Sequence, residues 1–460
     1  MNRLEIARTL VEKAKRLGVD DAEAFVMNSS STEIQIRDGQ ADTVTYRDSA
    51  GYGLRLLLDN KLGFVSSNNL EMSEADALIK KAIINTRLHT ADEHNVLPEP
   101  VAGNSSDTSP EQFDAELKSI PVEKKITKAI AVGAAAKNAD KRIVQIAWLQ
   151  YGDSSKEFAI ASSRGIEGES RHSESYAFAL AVAMTPLAEG QPDPATAQTG
   201  IAVDVRARFD ELDPINLGYK ATEYAVRMLG AEDGRTGELE GVFPPETGFN
   251  FVKLIADMAR ADLIQKKKSL FAGRLGELVT SDKVTIIDDG RLPGGLASRL
   301  VDGEGVLTTT KEIIKDGRLN QLLYDSYTAH RAGVVSTGNA DRGEFDNPPV
   351  ISPTNFYLAP GKLSRENLIA SVTDGLYVTE VSGLHASVNL VTGDYSIPGK
   401  GILISKGELT TPVSNITISG NVFDFFKNID AVADDLTWEY RDDLIGTPTF
   451  RVSAIKIGGK

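Results

Sequence analysis

The chain contains no cysteine. That absence excludes disulfides, thiol nucleophiles, iron–sulfur clusters and every zinc site built on thiolate. Imidazole is scarce as well: His89, His94, His172, His330 and His385 are the only five histidines among 460 residues. Cations are outnumbered, with 50 Lys and Arg against 65 Asp and Glu, a net charge of −15. Nucleic acid needs clustered cations against its phosphates, so direct binding to it is not expected. The one compact basic run, Lys266-Lys267-Lys268, reads as a solvated helix end. Long apolar runs are missing too. The longest, AFALAVAM at 177–184, falls far short of the roughly 20 residues that span a bilayer. The opening MNRLEIARTLVEKAKRLG alternates charged and apolar residues and has no unbroken apolar core of a signal peptide. A cytoplasmic protein without membrane contact is expected.

What is present is an ordinary globular balance, 41% hydrophobic and 25% charged, over a length that calls for two or three cores. Apolar residues at helical spacing predict a helix over 3–17, stopped by Gly18. Short alternating segments follow, with turns expected at Asp38-Gly39, Ser49 to Gly51 and Asp59-Asn60, an antiparallel meander. Ser73 with Asp76 three residues on predicts a capped second helix. Residues 91–120 turn polar and rich in Pro, Ser and Gly, as in a linker. A central unit over 121–235 has an Ala-rich helix, alternating strands and a helix opening at Asp213-Pro214. From 236 to 460 strands and glycine turns dominate, with helices expected at 246–266 and 422–433. Helices and strands cluster rather than alternate. The expected class is therefore α+β, helix–sheet–helix units over 1–90 and 121–235 followed by a C-terminal domain of largely antiparallel sheet.

No catalytic engine is visible from spacing alone. His89 and His94 are five apart, which on a helix places them about 140° from one another, and both read as solvated loop residues. There is no Gly-x-Ser-x-Gly elbow and no phosphate loop. Adjacent pairs such as Asp288-Asp289 point to opposite faces of a strand, poor geometry for acid–base work. The stretch DDGRLPGGLASRLVDGEGV at 288–306 carries five glycines and two readings. Asp289-Gly290 and Gly303-Glu304-Gly305 suit tight connections between strands. Pro293-Gly294-Gly295 suits either a turn or bare backbone that pairs with an extended peptide.

Three blocks carry a resemblance: TIIDDGRLPGGLASRLVDGEGV, YDSYTAHRAGVVSTGNA and VNLVTGDYSIPGKGILISKGELTTPVSNITISGN. In order and spacing they resemble the TldD/PmbA family, and GGLASR, STGN and VTGDYS are closer to its PmbA (TldE) branch. The resemblance implies a cytoplasmic peptidase of two related subunits, acting on unfolded or peptide-like substrates, including leader peptides of modified microcins and a labile antitoxin. A link to DNA gyrase regulation also attaches to the family. In that family the TldD subunit carries zinc on a helical His-Glu-x-x-x-His motif with a Cys near the C-terminus, the Glu acting as base toward metal-bound water. The motif positions fall here on Val252, Lys253 and Asp257, and the Cys is missing. Valine binds no zinc and lysine is no carboxylate base, so no cofactor is expected in this chain and zinc only in a TldD-type partner. Asp289, Gly290, Gly294, Gly295, His330, Arg331, Asn339 and His385 are the candidate substrate contacts, with no catalytic residue assigned. The expected function is a metal-free subunit of a TldD/PmbA-type peptidase. The alternatives are a homodimer that holds peptides or a protein client without cleaving them, or residual hydrolysis at an unfamiliar site.

Overall fold

Alternation of apolar and polar residues draws the first half of the chain into long strands, and the computed structural model describes residues 1–100, 112–389, 391–440 and 443–459. Six strands form one antiparallel sheet: β1 (Asp21–Arg37), β2 (Gln40–Leu58), β3 (Lys61–Ser67), β4 (Ile143–Ser162), β5 (Glu167–Ala183) and β6 (Gln198–Arg206). Their order is β3-β2-β1-β4-β5-β6. Residues before the 91–120 stretch and residues after it therefore share a sheet, with β1 on β4 from Glu23↔Ser162 to Gln35↔Gln150. Successive residues of a strand point to opposite faces. One face carries Ala24, Val26, Tyr151, Ala177 and Ala179 and buries them under four helices, α1 (Arg3–Arg16), α2 (Ala75–Thr86), α3 (Val122–Ala139) and α4 (Pro214–Val226).

The helix ends follow their local chemistry. Asn2 Oδ1 accepts from the Glu5 amide at 2.9 Å and the Glu5 carboxylate accepts from the Asn2 amide at 2.8 Å, which starts α1. Asp213 caps α4 ahead of Pro214. The cap expected at Ser73 does not form; α2 begins at Ala75 with no side-chain cap. Leu70 and Met72 pack on the N-terminal core and carry the chain past Ser73 before it turns helical. The turn expected at Ser49 to Gly51 is absent as well, since β2 runs through it. Those glycines serve close approach: a Cβ on Gly51 would lie 2.5 Å from the Phe345 ring, and one on Gly53 2.2 Å from the Phe345 carbonyl oxygen.

Beyond residue 236 strands dominate, and the α+β class with antiparallel sheets holds for the whole chain. Strands Gly237–Phe243, Asp374–Val381, Asp394–Ser405, Glu408–Asn421 and Phe450–Gly458 pair in succession. The last also pairs with the first, so this sheet closes on itself. A second sheet has the order Arg318–Leu319, Thr310–Lys315, Ile286–Asp289, Asn355–Leu358, Leu444–Thr447, Thr437–Tyr440. Helix α5 (Pro245–Met258) lies against both sheets, and its Phe251 stacks on Phe425 at 4.0 Å beside Phe243 and Phe450. The single helix expected over 246–266 is two pieces. Ala259 and Ala261 each exchange a backbone hydrogen bond with Leu323 at 3.0 Å, which pulls Arg260 out of helical geometry. The helix expected over 422–433 stops at Lys427, because Ile429–Val432 pairs with Phe450–Gly458 as a strand. Among the described residues no helix is long and apolar enough to cross a membrane.

The two halves meet across the other face of the six-stranded sheet. Phe25, Met27 and Ile160 form an apolar patch there against Phe345. Beside it lies a buried ionic knot. Arg55 on β2 donates from Nε to Glu23 on β1 at 2.9 Å and from Nη1 to Glu304 at 2.8 Å. Arg342 also reaches Glu23, donates from Nε to the Gly303 carbonyl at 2.8 Å, and covers the Phe25 ring. All four charged residues are buried. Burial and the neighbouring Glu304 push Asp302 up to about 7. Burial works to raise Glu304 too, but Arg55 and Ser326 outweigh it and hold that carboxyl below its ordinary range. Removing one member of such a knot leaves uncompensated charge in a dry place. Arg55→Met is expected to cost about 3–5 kcal/mol, read as a lower urea midpoint at unchanged slope.

Candidate functional site

The C-terminal domain covers only part of that sheet face. Toward β4, β5 and β6 the face stays open and forms the floor of a groove with three joined cavities of about 230, 690 and 650 Å³. Tyr440 lines all three. The largest runs between two sheet edges. Strand β6 ends the six-stranded sheet, Thr437–Tyr440 ends the second sheet, and residues of both line the cavity. Neither edge has a further strand partner among the described residues. Unpaired edge backbone is a template for an extended peptide, held through main-chain bonds and therefore read with little regard to its side chains. Aromatic rings supply apolar surface: Trp438 against Tyr357 at 5.5 Å, and Trp148 against Phe178 at 5.4 Å with Trp148 52% exposed.

The glycine-rich stretch forms one wall. Leu292 to Gly295 is a β-turn closed by the Gly295 amide on the Leu292 carbonyl at 3.0 Å, with Pro293 and then Gly294 at φ +74° in its centre. The Gly295 amide is thus engaged within the turn, while Gly294 and Gly295 both line the 690 Å³ cavity. Asn355, fully buried, holds the loop from beneath. Its Nδ2 donates to the Asp289 carbonyl at 2.6 Å and to Ser298 Oγ at 2.9 Å, and its Oδ1 accepts from the Ala297 amide at 3.0 Å. A side chain on Gly295 would strike that Oδ1, at 2.6 Å.

The other expected contacts lie apart from the groove wall. Asp289 is buried at the end of its strand and accepts from the Arg291 amide and Thr310 Oγ1 at 2.9 and 2.7 Å. Gly290 sits against Thr308, which leaves no room for a Cβ. Asn339 is fully buried and donates to Asp288 at 2.9 Å, a carboxylate that also pairs with buried Lys311 at 2.9 Å. His330 and Arg331 are exposed on the helix Ser326–Ala332. His330 there meets His94 at an exposed contact, with 3.1 Å between their Nδ1 atoms, and His94 lies in a turn. His385 lies in the short helix Leu384–Ser387 and its side chain falls outside the described residues.

The positions of the metal motif sit on α5, beside the groove. Val252 is buried in the C-terminal core, where the apolar stripe of the helix puts it. Lys253 forms an ion pair with Asp443, and Asp443 lines the 230 Å³ cavity. Burial raises Asp257 above the ordinary carboxylate range against the pull of Lys253. A hydrocarbon, an ammonium and one carboxylate are not a zinc donor set. Among the described residues no three His, Asp or Glu side chains converge at metal-ligating range. At the floor of the groove, burial works to raise Glu174, but His172, Ser154 and Tyr440 hold it below its usual range. Burial raises the Tyr440 phenol, as does its bond to Glu174 at 3.3 Å. Of these residues only Gly294, Gly295 and the α5 positions were singled out by the sequence. Arg299 lies inside the glycine-rich stretch, but Lys156, Glu174, Arg342 and Tyr440 have no local signal, since their partners are distant in the chain.

Comparison with known proteins bears on this arrangement. Residues 22–86, 115–229 and 236–459 match the family models of PmbA/TldA metallopeptidase domain 1, central domain and C-terminal domain. Metalloprotease PmbA of Escherichia coli O157:H7 is 28% identical over 453 residues, covering 95% of this chain and 94% of that protein. The crystal structure of a putative modulator of a DNA gyrase from Thermotoga maritima MSB8 superposes with a TM-score of 0.88 at 26% identity, over 99% of each chain. That of TldE from Thermococcus kodakarensis gives 0.88 at 22% identity, over 99% of this chain and 100% of that one, a likeness of fold.

The loop geometry can be tested apart from any activity. Asn355→Ala strips three hydrogen bonds from under residues 289–298 and should cost about 1–3 kcal/mol. The Ala297 amide is expected to exchange with deuterium faster in the variant, while amides of the six-stranded sheet keep their protection.

Proposed function

The chain belongs to the PmbA/TldD metallopeptidase family, and from that premise we propose that it serves as a subunit that binds an extended peptide and carries no metal of its own. The observation behind this reading is the coincidence of two features. The helix whose counterpart bears the zinc motif presents Lys253, paired to Asp443, beside a groove bounded by two unpaired sheet edges. The groove supplies what a peptidase needs for holding an unfolded segment, and at the motif positions α5 supplies one carboxylate in place of the set of donors that would activate water.

In this reading hydrolysis belongs to a partner of the same family, a TldD-type chain with His-Glu-x-x-x-His. The present chain aligns the substrate main chain along β6 and Thr437–Tyr440 and shields it from solvent. Holding the scissile segment extended lowers the entropic part of the barrier for a partner that does the chemistry. The assembly would work in the cytoplasm on peptides or unfolded protein. A second reading, a homodimer that binds peptides without cleaving them, would use the same groove.

Co-expression with a His-Glu-x-x-x-His relative is expected to yield a stable complex that cleaves unfolded casein and loses activity with a chelator. The purified single chain should hold no stoichiometric zinc and show no turnover. A complex that never forms, with peptide binding by the single chain intact, would favour the homodimer. Turnover by chelator-treated single chain would sink both readings.

A further inference from the structure

We propose that the 650 Å³ cavity is a subsite for a basic side chain, lysine or arginine, of the bound peptide; this rests on the reading of the groove as a peptide site. The cavity spans the floor of the groove from Glu33 on β1 to Val203 on β6. Val203 and Tyr440 line the 690 Å³ cavity as well, so a long side chain of a peptide held there enters past them and extends over the floor.

The lining is aromatic and carries charge of one sign. Trp148, Tyr176, Phe178 and Tyr440 supply four rings, and Trp148 is half exposed. The electron-rich face of a ring attracts a cation, most strongly on tryptophan, and the attraction grows as water is displaced. The chain uses that contact elsewhere, with Arg274 over the Phe423 ring at 4.4 Å and Lys128 over Phe209 at 4.3 Å. Among the described residues no Lys or Arg covers any of the four cavity rings, and none lines the cavity.

Three carboxylates line it, each differently placed. Asp153 is buried, and its charge is met by the Lys125 ammonium at 2.7 Å. Glu174 accepts from Ser154 Oγ at 3.1 Å and from the Tyr440 hydroxyl at 3.3 Å. Glu33 is part-exposed and has neither a hydrogen bond nor an ion pair among the described residues. It lies opposite Gly152 on β4, and Gly152 lies opposite Tyr176 on β5. A Cβ on Gly152 would stand 2.3 Å from Cζ of Tyr176, so the glycine lets that ring cross β4 toward Glu33. Burial raises the Tyr176 phenol, and the charge of Glu33 adds to the rise against the bond from Gln150.

This combination selects the ligand. An apolar side chain would suit the rings but would strip water from Glu33 and return nothing for it. An acidic one would stand against Glu33 and Glu174. Lysine and arginine bring apolar stems for the rings and a cationic head for the unpaired carboxylate.

The test uses the full chain and octapeptides of Ala and Thr, acetylated and amidated so that their ends carry no charge, titrated by calorimetry. The fourth residue is Arg, Lys, norleucine or Glu. The Arg and Lys peptides are expected to bind about tenfold tighter than the norleucine peptide, with the Glu peptide weakest. Glu33→Gln should cut the advantage of Arg and Lys to about threefold and leave the norleucine peptide unchanged. Trp148→Leu should weaken the Arg and Lys peptides more than the norleucine one. Both side chains are part-exposed, so neither substitution opens the core. Equal binding of the Arg, Lys and norleucine peptides by the unaltered chain overturns the subsite alone. So does an advantage that survives both substitutions, or variants that weaken every peptide alike. Failure of all four peptides to bind overturns the groove reading and the subsite with it.

Discussion

The constraint on which the rest depends is the buried knot of Glu23, Arg55, Glu304 and Arg342. Charge taken out of water is tolerated only where geometry satisfies it, so the knot permits few arrangements of the two halves. Two of its members sit on β1 and β2 and two on loops of the C-terminal domain. Once they are joined, the C-terminal domain lies over β1, β2 and the near part of β4, and the rest of the sheet face is left open. The groove is that uncovered remainder. Within the groove the two halves meet again, where Tyr440 donates to Glu174 at 3.3 Å.

Glycine does two different jobs in reaching this arrangement. At Gly51 and Gly53 it lets a flat strand accept the Phe345 segment at closer than side-chain distance. At Gly294 it takes a positive φ that closes a turn, and Gly295 beside it leaves space for Asn355 to hold the loop. The nineteen-residue stretch is both an ordinary pair of turns and the wall of a groove. Its glycines are explained by turn geometry, and the surface they create faces the cavity.

On α5 the positions of the family's metal motif carry other side chains. Val252 strengthens the apolar stripe that anchors the helix, and Lys253 turns a place suited to a cation into one that carries a positive charge.

Much of the local structure was legible in the residues. Alternation marked the strands, Asp213-Pro214 marked the start of α4, and the loss of both His and Cys ligands could be read from the letters alone, because these depend on neighbours in the chain or on residue identity. Where the reading failed, a distant contact was responsible. Leu323 broke the helix after Met258, and Phe345 occupied glycines that looked like a turn. The sequence by itself determined the class of fold, the family and which side chains stand at the motif positions. Only the tertiary structure decided where the groove lies, that Gly294 and Gly295 face it while Asp289 and Asn339 are buried behind it, and that Lys156, Arg299 and Arg342 share a cavity. Those facts are set by side chains from about fifty to more than a hundred residues apart meeting in a buried interface, and no local pattern encodes such a meeting.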